Sequence, residues 1–358
     1  EVSREIQINN KEEVAKQMLG FNRSEIIEAL DLSFYKYGEI NFKILNEKKI
    51  EMINKSDVID YSVPTKTMAD IGGNYSFKKW FEEIKICMNP EAKQYGVEMP
   101  KGYLALGIAG CSKSLMAEVI ANELGVPFLK LNMSKILSKF VGESERKIEQ
   151  AVELINASAP CVLLIDEVEK NLGGYASSNA SDSGTLSRVF GKVLDMLVNN
   201  DKGIFTVMTS NNVKDLPPEL TRAGRLDAIW YFSLPTEDER QEILAVHFKK
   251  RNQNVPELIV KEMAKETQGY TGAELEQIVK SSIKKAYVRK AKNIDLVFEI
   301  TKKDLMDSKK EVIPISKSSK EKIMALEQWA KGRALYANDK SNNKKIDLDT
   351  IDIDNFDI

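Results

Sequence analysis

The sequence predicts an α/β fold in which a five-stranded parallel sheet carries helices on both faces, preceded by a short helical segment and followed by a small helical lid domain. Two observations predict it. Between about residues 63 and 235, short apolar runs alternate with segments of helical periodicity, which is typical of a parallel sheet covered on both faces. After Pro235 only helical patterns follow.

The strands are predicted from five apolar runs, "GYLALGI", "VPFLKLN", "CVLLIDE", "IFTVMTSN" and "AIWYFSL". Helical patterns such as "LMAEVIANELG" and "GESERKIEQAVELINAS" lie between them. Pro64 and the pair Gly72-Gly73 interrupt the earlier helical pattern, so we place a boundary near Val63. The predicted segments are residues 1–62 (helical), 63–235 (α/β), 236–335 (small helical domain with a C-terminal helix) and 336–358 (an acidic tail, flexible rather than an edge strand).

Charge and cysteine content narrow the class of protein. The 358 residues include 52 basic and 54 acidic side chains, a balance that argues against nucleic acid or anionic lipid as the partner. No apolar run reaches membrane-spanning length, and no secretory leader opens the sequence. Three cysteines without paired spacing and a single histidine argue against disulfides and structural zinc. We therefore expect a cytoplasmic protein.

The stretch "GIAGCSKS" has the spacing of a phosphate-binding loop, or Walker A motif. Gly107 is followed by four residues, then Ser112 where a glycine is usual, then Lys113 and Ser114. It follows a predicted strand and opens a predicted helix, so backbone N–H groups and the helix N-terminus would face a phosphate. Lys113 would reach the β- and γ-phosphates and Ser114 would ligate Mg²⁺. Serine is small, so we expect the loop to tolerate Ser112; a decayed loop is the alternative.

The run "CVLLIDE" supplies a second element, a Walker B motif. It ends in Asp166 and Glu167, at the strand end where open α/β sheets bind ligands. Asp166 would hold Mg²⁺ through water, and Glu167 would orient the attacking water in phosphoryl transfer. Two solvated acids at a strand end are the alternative. Together the two motifs predict an enzyme that hydrolyses a nucleoside triphosphate.

The stretch "TVMTSNNVKDLPPELTRAGRLDAIWYFSLP" resembles the second region of homology of AAA+ ATPases, in the clade that includes protein unfoldases and membrane-fusion ATPases. The resemblance implies that Asn211 is the sensor of water or γ-phosphate. It also implies that Arg222 and Arg225 are arginine fingers, which enter the neighbouring subunit's site. A guanidinium suits the charge that spreads over a transferring phosphoryl group.

The resemblance covers roughly residues 65–290 and implies further contacts with ATP. The implied nucleotide-binding positions are Asp70, Ile71, Gly72, Gly110, Cys111, Ser112, Lys113, Ser114, Leu115, His247, Gly272 and Ala273. "EKKIEMINKSDVIDY", "NPEAKQYGVEMPKG", "DSGTLSRVFG" and "ALEQWAKGRA" resemble a subgroup, the Ycf-type (hypothetical-reading-frame) AAA+ proteins of plastids, cyanobacteria, other bacteria and phages.

Three departures from the AAA+ pattern concern turnover and coordination between subunits. Ser112 replaces the loop glycine, "TSNN" replaces Ala-Thr-Asn-Arg, and "LDMLVNN" lacks the Asp-Gly pair that relays signals between subunits. They leave open a second interpretation, in which a slow or inactive ATPase acts as a nucleotide-gated scaffold.

The stretch "SKFVGESE" resembles the pore loop of AAA+ rings, with Phe140 and Val141 as the residues that grip a polypeptide. An aromatic side chain holds extended chain without reading its sequence; a Phe packed within its own domain is the alternative. The leading hypothesis is therefore a homo-oligomeric ring, by resemblance a hexamer, that uses ATP and Mg²⁺ to remodel a protein substrate. A nucleic-acid-directed AAA+ ATPase is the third possibility, against which the near-neutral charge argues.

Overall fold

The computed structural model describes residues 14, 18, 23–41, 44–45, 47–48, 51, 57–136, 143–172, 183–198, 202–214, 216–222, 224–293 and 295–338. The chain divides into two compact units. The first unit comprises residues 1–68, 87–106 and 113–229, and the second comprises residues 69–86, 107–112 and 230–358. Within the described ranges, no helix is both long and apolar enough to cross a lipid bilayer.

The helices of the described residues are numbered here in chain order. They are α1 (Arg23–Tyr37), α2 (Tyr75–Cys87), α3 (Lys113–Leu124), α4 (Met133–Ile136), α5 (Glu143–Ser158), α6 (Val168–Leu172), α7 (Ser183–Val198), α8 (Glu237–Lys249), α9 (Glu257–Glu266), α10 (Gly272–Lys292), α11 (Lys302–Glu311), α12 (Ile315–Ser318) and α13 (Lys320–Ala330). Short 3₁₀ helices cover Met68–Asp70, Pro90–Tyr95 and Pro218–Thr221.

The strands form a mixed sheet of seven, in the order β1-β3-β4-β5-β2-β6-β7. They are β1 (Ile59–Ser62), β2 (Gly102–Gly107), β3 (Phe128–Leu131), β4 (Cys161–Ile165), β5 (Ile204–Ser210), β6 (Ala228–Phe232) and β7 (Leu335–Tyr336). β3, β4, β5 and β2 are parallel neighbours, β7 is parallel to β6, and β1 is antiparallel to β3.

The prediction of a five-stranded, all-parallel sheet is therefore wrong in detail. All five predicted strands are present, as β2 to β6, but two edge strands join them. β1 lies in a stretch predicted to be helical, and β7 follows Pro235, after which no strand was expected. Both are short, with four and two residues, so neither leaves the apolar periodicity on which the prediction depends.

The core of the first unit explains why its strands read as continuous apolar runs. Every residue of β2, β4 and β5 is buried, so neither face of these strands is open to solvent. β2 approaches β5 closely at Gly102, where a Cβ atom would lie 1.8 Å from the carbonyl oxygen of Thr206. These packed strands fix the residues that follow them.

The second unit has a helical core and well-defined helix starts. Its buried cluster comprises Leu244, Phe248, Val260, Met263, Ala264, Tyr270, Leu275, Ile278, Val279, Ala286, Ile300 and Leu305. Threonine side chains cap α8, α10 and α11 through reciprocal capping boxes at Thr236, Thr271 and Thr301. Each box satisfies backbone N–H groups at a helix start.

Residues at the predicted tail also belong to the second unit. Ala337 is buried, and its carbonyl oxygen accepts hydrogen bonds from the backbone N–H groups of Ser76 and Phe77, at 3.1 and 3.3 Å. Tyr336 lies in β7. The rest of the predicted acidic tail, residues 339–358, lies outside the described residues, as do Phe140 and Val141 of the predicted pore loop.

Candidate active site

The first unit brings five sequence-predicted residues to one edge of the sheet. Asp166 and Glu167 follow β4, and Asn211 follows β5. β4 and β5 are parallel neighbours, with Ile165 opposite Met208, so the residues after them lie side by side. Lys113 opens α3, which packs against both strands. We call Lys113, Ser114, Asp166, Glu167 and Asn211 the strand-end cluster.

Asp166 is held as a carboxylate by three donors. The Ser114 hydroxyl donates to its Oδ1 at 2.8 Å, Thr209 Oγ1 also donates to Oδ1, and Lys130 Nζ lies 3.2 Å from Oδ2. Burial alone raises the pKa of Asp166, but these hydrogen bonds outweigh it, so the pKa lies below its usual value. A carboxylate beside a hydroxyl offers the hard oxygen ligands that Mg²⁺ prefers.

Lys113 and Asn211 link the phosphate-loop motif to the carboxylates. Lys113 is 6% exposed, and its Nζ donates to Asn211 Oδ1 at 2.8 Å. The Asn211 amide in turn donates to Glu167 Oε1 at 3.2 Å. The predicted sensor therefore lies between the predicted phosphate-binding lysine and the predicted catalytic base.

The backbone at Glu167 is unusual. Its φ is +52°, in the left-handed region that few residues other than glycine adopt. Its N–H donates to Thr209 Oγ1 at 2.9 Å, and Lys170 Nζ contacts its Oε2 at 2.6 Å. Strain of this kind clusters at functional sites.

Sequence reasoning missed Glu169. This side chain is 6% exposed; its Oε1 accepts the Asn211 N–H at 3.0 Å, and its Oε2 is buried without a hydrogen-bond partner among the described residues. A buried carboxylate oxygen without a partner is costly. The sequence offered one indication of this role. Glu169 comes two residues after Glu167, in a short helix (α6) that begins just after β4.

The second unit contains the glycine-rich part of the phosphate-loop motif. Gly110 has φ +86°, and a Cβ there would lie 2.8 Å from Thr271 Oγ1 and 3.1 Å from the Ala273 Cβ. The Gly110 carbonyl accepts the Ala273 N–H at 3.2 Å, and a Cβ on Gly272 would lie 3.3 Å from the same carbonyl oxygen. The start of α10 thus lies against the loop, and glycine is required at 110.

Ser112 occupies the left-handed region, with φ +60°. A residue with a Cβ adopts this conformation at a cost of roughly 1–2 kcal/mol. Its hydroxyl donates to the Cys111 carbonyl oxygen at 2.7 Å and accepts from Asn74 Nδ2 at 3.0 Å. The serine therefore keeps the backbone conformation that a glycine would supply, with side-chain hydrogen bonds that offset its strain. Cys111 itself is 7% exposed.

The predicted residues before α2 pack on α8. A Cβ on Gly72 would lie 2.6 Å from the Ile243 backbone nitrogen. Asp70 forms an ion pair with Lys250 at 3.0 Å, and Ile71 is 5% exposed. This close backbone approach requires a glycine at 72.

His247 lies on α8 with a buried Nδ1 that has no hydrogen-bond partner among the described residues. Burial lowers its pKa to about 4, an effect that Lys250 and Arg251 reinforce and Glu276 opposes. The imidazole is therefore neutral at pH 7, with a ring nitrogen able to accept or donate one hydrogen bond.

The remaining predicted residues lie apart from the strand-end cluster's hydrogen bonds. Arg222 is exposed beside the 3₁₀ turn, and Arg225 Nη1 donates to the Glu219 carbonyl oxygen at 2.8 Å. Leu115 is half-buried in the first turn of α3. The Arg222 side chain is therefore open to solvent, whereas Arg225 is half-buried.

Each unit, taken by itself, contains groups that suit part of a nucleoside triphosphate, and the first also contains groups that suit Mg²⁺. In the first unit, Lys113 supplies a cation for phosphate, and Ser114 with Asp166 supplies oxygen ligands for the metal. In the second, Gly110 and Ser112, which flank Cys111, both have positive φ, and left-handed residues of this kind occur in backbone turns that bind anions. The unpartnered His247 Nδ1 suits a polar atom of the base or ribose.

Sequence comparison identifies the family. Residues 103–234 match the family described as "ATPase family associated with various cellular activities (AAA)". The Ycf46 AAA domain-containing protein of Guillardia theta is 33% identical over 321 residues, covering 88% of this chain and 62% of that protein. The Ycf46 protein of Pyropia yezoensis is 31% identical over 335 residues, covering 92% and 66%. The chain thus spans less than two thirds of either relative.

Two further proteins extend the comparison. The ATPase family protein 2 homolog of Caenorhabditis elegans is 28% identical over 277 residues, covering 75% of this chain and 38% of that protein. The crystal structure of the FIGL-1 AAA domain in complex with ADP matches with a TM-score of 0.64 at 20% identity, covering 81% of this chain and 97% of that one. At this identity the second match shows the fold. The chain belongs to the AAA family and is similar over most of its length to the Ycf46 proteins.

Proposed function

We propose that this protein binds ATP with Mg²⁺ and hydrolyses it. The observation that carries the proposal is the hydrogen-bonded series in the strand-end cluster, in which Asn211 bonds both Lys113 and Glu167, and Ser114 bonds Asp166. A bound Mg²⁺ ion supplies charge neutralisation at the phosphates. Ser114 and Asp166 would hold it, directly and through water. FIGL-1, of the same fold, binds ADP in its crystal structure.

Each residue of the cluster has a defined task in this proposal. Lys113 holds the β- and γ-phosphates. In the second unit, the backbone N–H groups of the loop ending at Ser112 suit a phosphate oxygen. Glu167 accepts a hydrogen bond from the attacking water and orients it in line with the leaving oxygen. Asn211, already bonded to Glu167, fixes the carboxylate and donates to the same water or to the γ-phosphate.

Phosphate release by the Glu167→Gln variant tests the proposal. A general base contributes about 10²- to 10⁴-fold to rate, so Glu167→Gln should lose at least about 100-fold in turnover while binding ATP as the natural chain does. The matched control is Glu153→Gln on the exposed face of α5, which should keep full turnover. Equal turnover in Glu167→Gln and the natural chain would exclude this chemistry.

We further propose that the chain works as a ring, a hexamer by its family, that remodels a protein substrate. Arg222 is exposed, so it is available to a neighbouring chain's phosphate. Chains with Lys113→Met and chains with Arg222→Ala should each be inactive. Mixed in solution, they should regain at least about a tenth of natural turnover, because some interfaces then combine an intact Lys113 with an intact Arg222. A mixture as inactive as its parts would contradict the ring.

The scaffold alternative remains for one specific reason. Ser112 carries backbone strain where a glycine would have none, and a slow ATPase that gates assembly would tolerate such a loop. That function predicts ATP-dependent assembly with the same low phosphate release in the natural chain and in Glu167→Gln, so the same assay separates the two.

A further inference from the structure

Asn74 stands out because it is a buried polar residue that holds the phosphate-loop serine. It is 6% exposed, and its Nδ2 donates to Ser112 Oγ at 3.0 Å. The Ser112 hydroxyl also donates a hydrogen bond to the Cys111 carbonyl oxygen, at 2.7 Å. The serine side chain is therefore fixed from both directions.

Asn74 is itself fixed in a rare conformation. Its φ is +57°, a region that asparagine tolerates better than most residues. Its backbone N–H donates to Glu239 Oε1 at 2.7 Å, and its carbonyl accepts the Lys78 N–H at 3.0 Å. The side chain thus leaves a rigid backbone and points at Ser112.

Glu239 holds the backbone of Asn74. It is fully buried in α8, and its Oε2 accepts hydrogen bonds from the Thr236 N–H at 2.9 Å and from Asn338 Nδ2 at 2.6 Å. A Cβ on the neighbouring Gly73 would lie 2.6 Å from Glu239 Oε1, so the segment packs directly on this carboxylate. Glu239 is therefore held by several contacts, whereas Ser112 is half-buried.

We propose that Asn74 is a positioning residue that keeps the phosphate loop ready for the β-phosphate of ADP or ATP. It does so by holding Ser112 at positive φ, where the N–H groups that face a phosphate are aligned. A glycine at 112 would reach the same conformation without help. Asn74 and Ser112 are thus a matched pair, and each matters only in the presence of the other. This inference rests on the proposed nucleotide binding.

A double-variant cycle tests the pair. Asn74→Gly removes the amide and keeps the freedom to adopt positive φ, and Ser112→Gly removes the need for the amide. In the natural background, Asn74→Gly should weaken Mg²⁺-ADP binding about tenfold, the effect of one lost hydrogen bond and a relaxed loop. In the Ser112→Gly background, the same change should weaken binding less than about twofold relative to Ser112→Gly alone.

Calorimetric ADP titration gives the affinities, and thermal midpoints without nucleotide give the structural effect. A purely structural role for Asn74 would weaken ADP binding equally in both backgrounds, which would overturn the inference. Ser112→Ala serves as the second variant, since it keeps the Cβ and loses both hydroxyl bonds, and it should weaken ADP binding about tenfold. Ser112→Ala binding as tightly as the natural chain would also overturn it.

The ADP titrations distinguish a failure of the proposed nucleotide binding from a failure of the Asn74–Ser112 pair. If the natural chain binds no Mg²⁺-ADP, the proposed function fails and this inference falls with it. If the natural chain binds Mg²⁺-ADP and the two backgrounds respond alike to Asn74→Gly, only the matched pair is wrong.

Discussion

The strand-end cluster of the first unit and the phosphate loop of the second (residues 107–112) depend on different kinds of groups, side chains in the cluster and backbone in the loop. The cluster consists of charged and polar side chains bonded to one another, such as Lys113 to Asn211 at 2.8 Å and Asn211 to Glu167 at 3.2 Å. The loop consists of backbone held at positive φ, such as Gly110 at +86° and Ser112 at +60°, with neighbouring atoms too close for an added Cβ at Gly110.

This difference predicts which substitutions each region tolerates. In the cluster, a change that keeps shape and alters charge removes function, because the groups act through their chemistry. In the loop, a change that adds a single carbon atom at Gly110 weakens nucleotide binding, because the groups act through backbone position. One substitution in each region, paired with a control at a residue of the same type, tests this difference.

The largest effect is expected at Lys113. Lys113→Met keeps most of the buried side-chain volume and removes the charge, so ATP affinity should fall about 100-fold, the effect of losing charge-assisted hydrogen bonds to phosphate. Lys130→Met removes another lysine that contacts Asp166, which retains Ser114 and Thr209. It should weaken ATP binding less than about threefold in the same calorimetric titration. Equal losses would show that the cluster acts by net charge rather than by position.

A smaller effect is expected at Gly110. Gly110→Ala meets both unfavourable backbone angles and the Thr271 hydroxyl 2.8 Å away, so ADP affinity should fall about tenfold with a lower thermal midpoint. Gly125→Ala is the control, because Gly125 has φ +65° and nothing within 4 Å of the added carbon. It should lower stability by about 1 kcal/mol and leave ADP affinity unchanged. Loss of ADP affinity in Gly125→Ala would refute the steric explanation.

The last prediction concerns the pH dependence of stability that the titration of His247 produces. Its native pKa is about 4, against 6.5 for a free histidine. The unfolded chain therefore binds the proton first as pH falls, so the stability contributed by the neutral ring is complete above about pH 6.5 and is lost as pH falls toward about 4. The chain has one histidine, so its NMR signal is unambiguous. A native titration near pH 6.5 would contradict a buried imidazole.

Much of the fold could be predicted because β2, β4 and β5 are buried throughout and leave continuous apolar runs. β1 and β7 escaped prediction because they are short edge strands. The motifs placed Lys113, Asp166 and Glu167 near strand ends, since motif spacing is a local property of the sequence.

The residues that sequence reasoning missed depend on contacts between distant parts of the chain. Asn74 contacts Ser112, 38 residues away, and Glu239, 165 residues away. Glu169 contacts Asn211, 42 residues further along. No periodicity or motif in one sequence records such pairs, because only the folded backbone brings them together. The functional roles of the predicted site residues stay predictions until the variants are measured.

The most direct measurement compares Glu167→Gln with Gly110→Ala, determining ATP affinity and phosphate release for both in one set of conditions. The account predicts opposite results: Glu167→Gln keeps ATP affinity and loses at least about 100-fold in turnover at saturation. Gly110→Ala loses about tenfold in ATP affinity and keeps most of its turnover once ATP is saturating. If both variants lose the same quantity, the division between a chemical cluster and a binding loop is wrong.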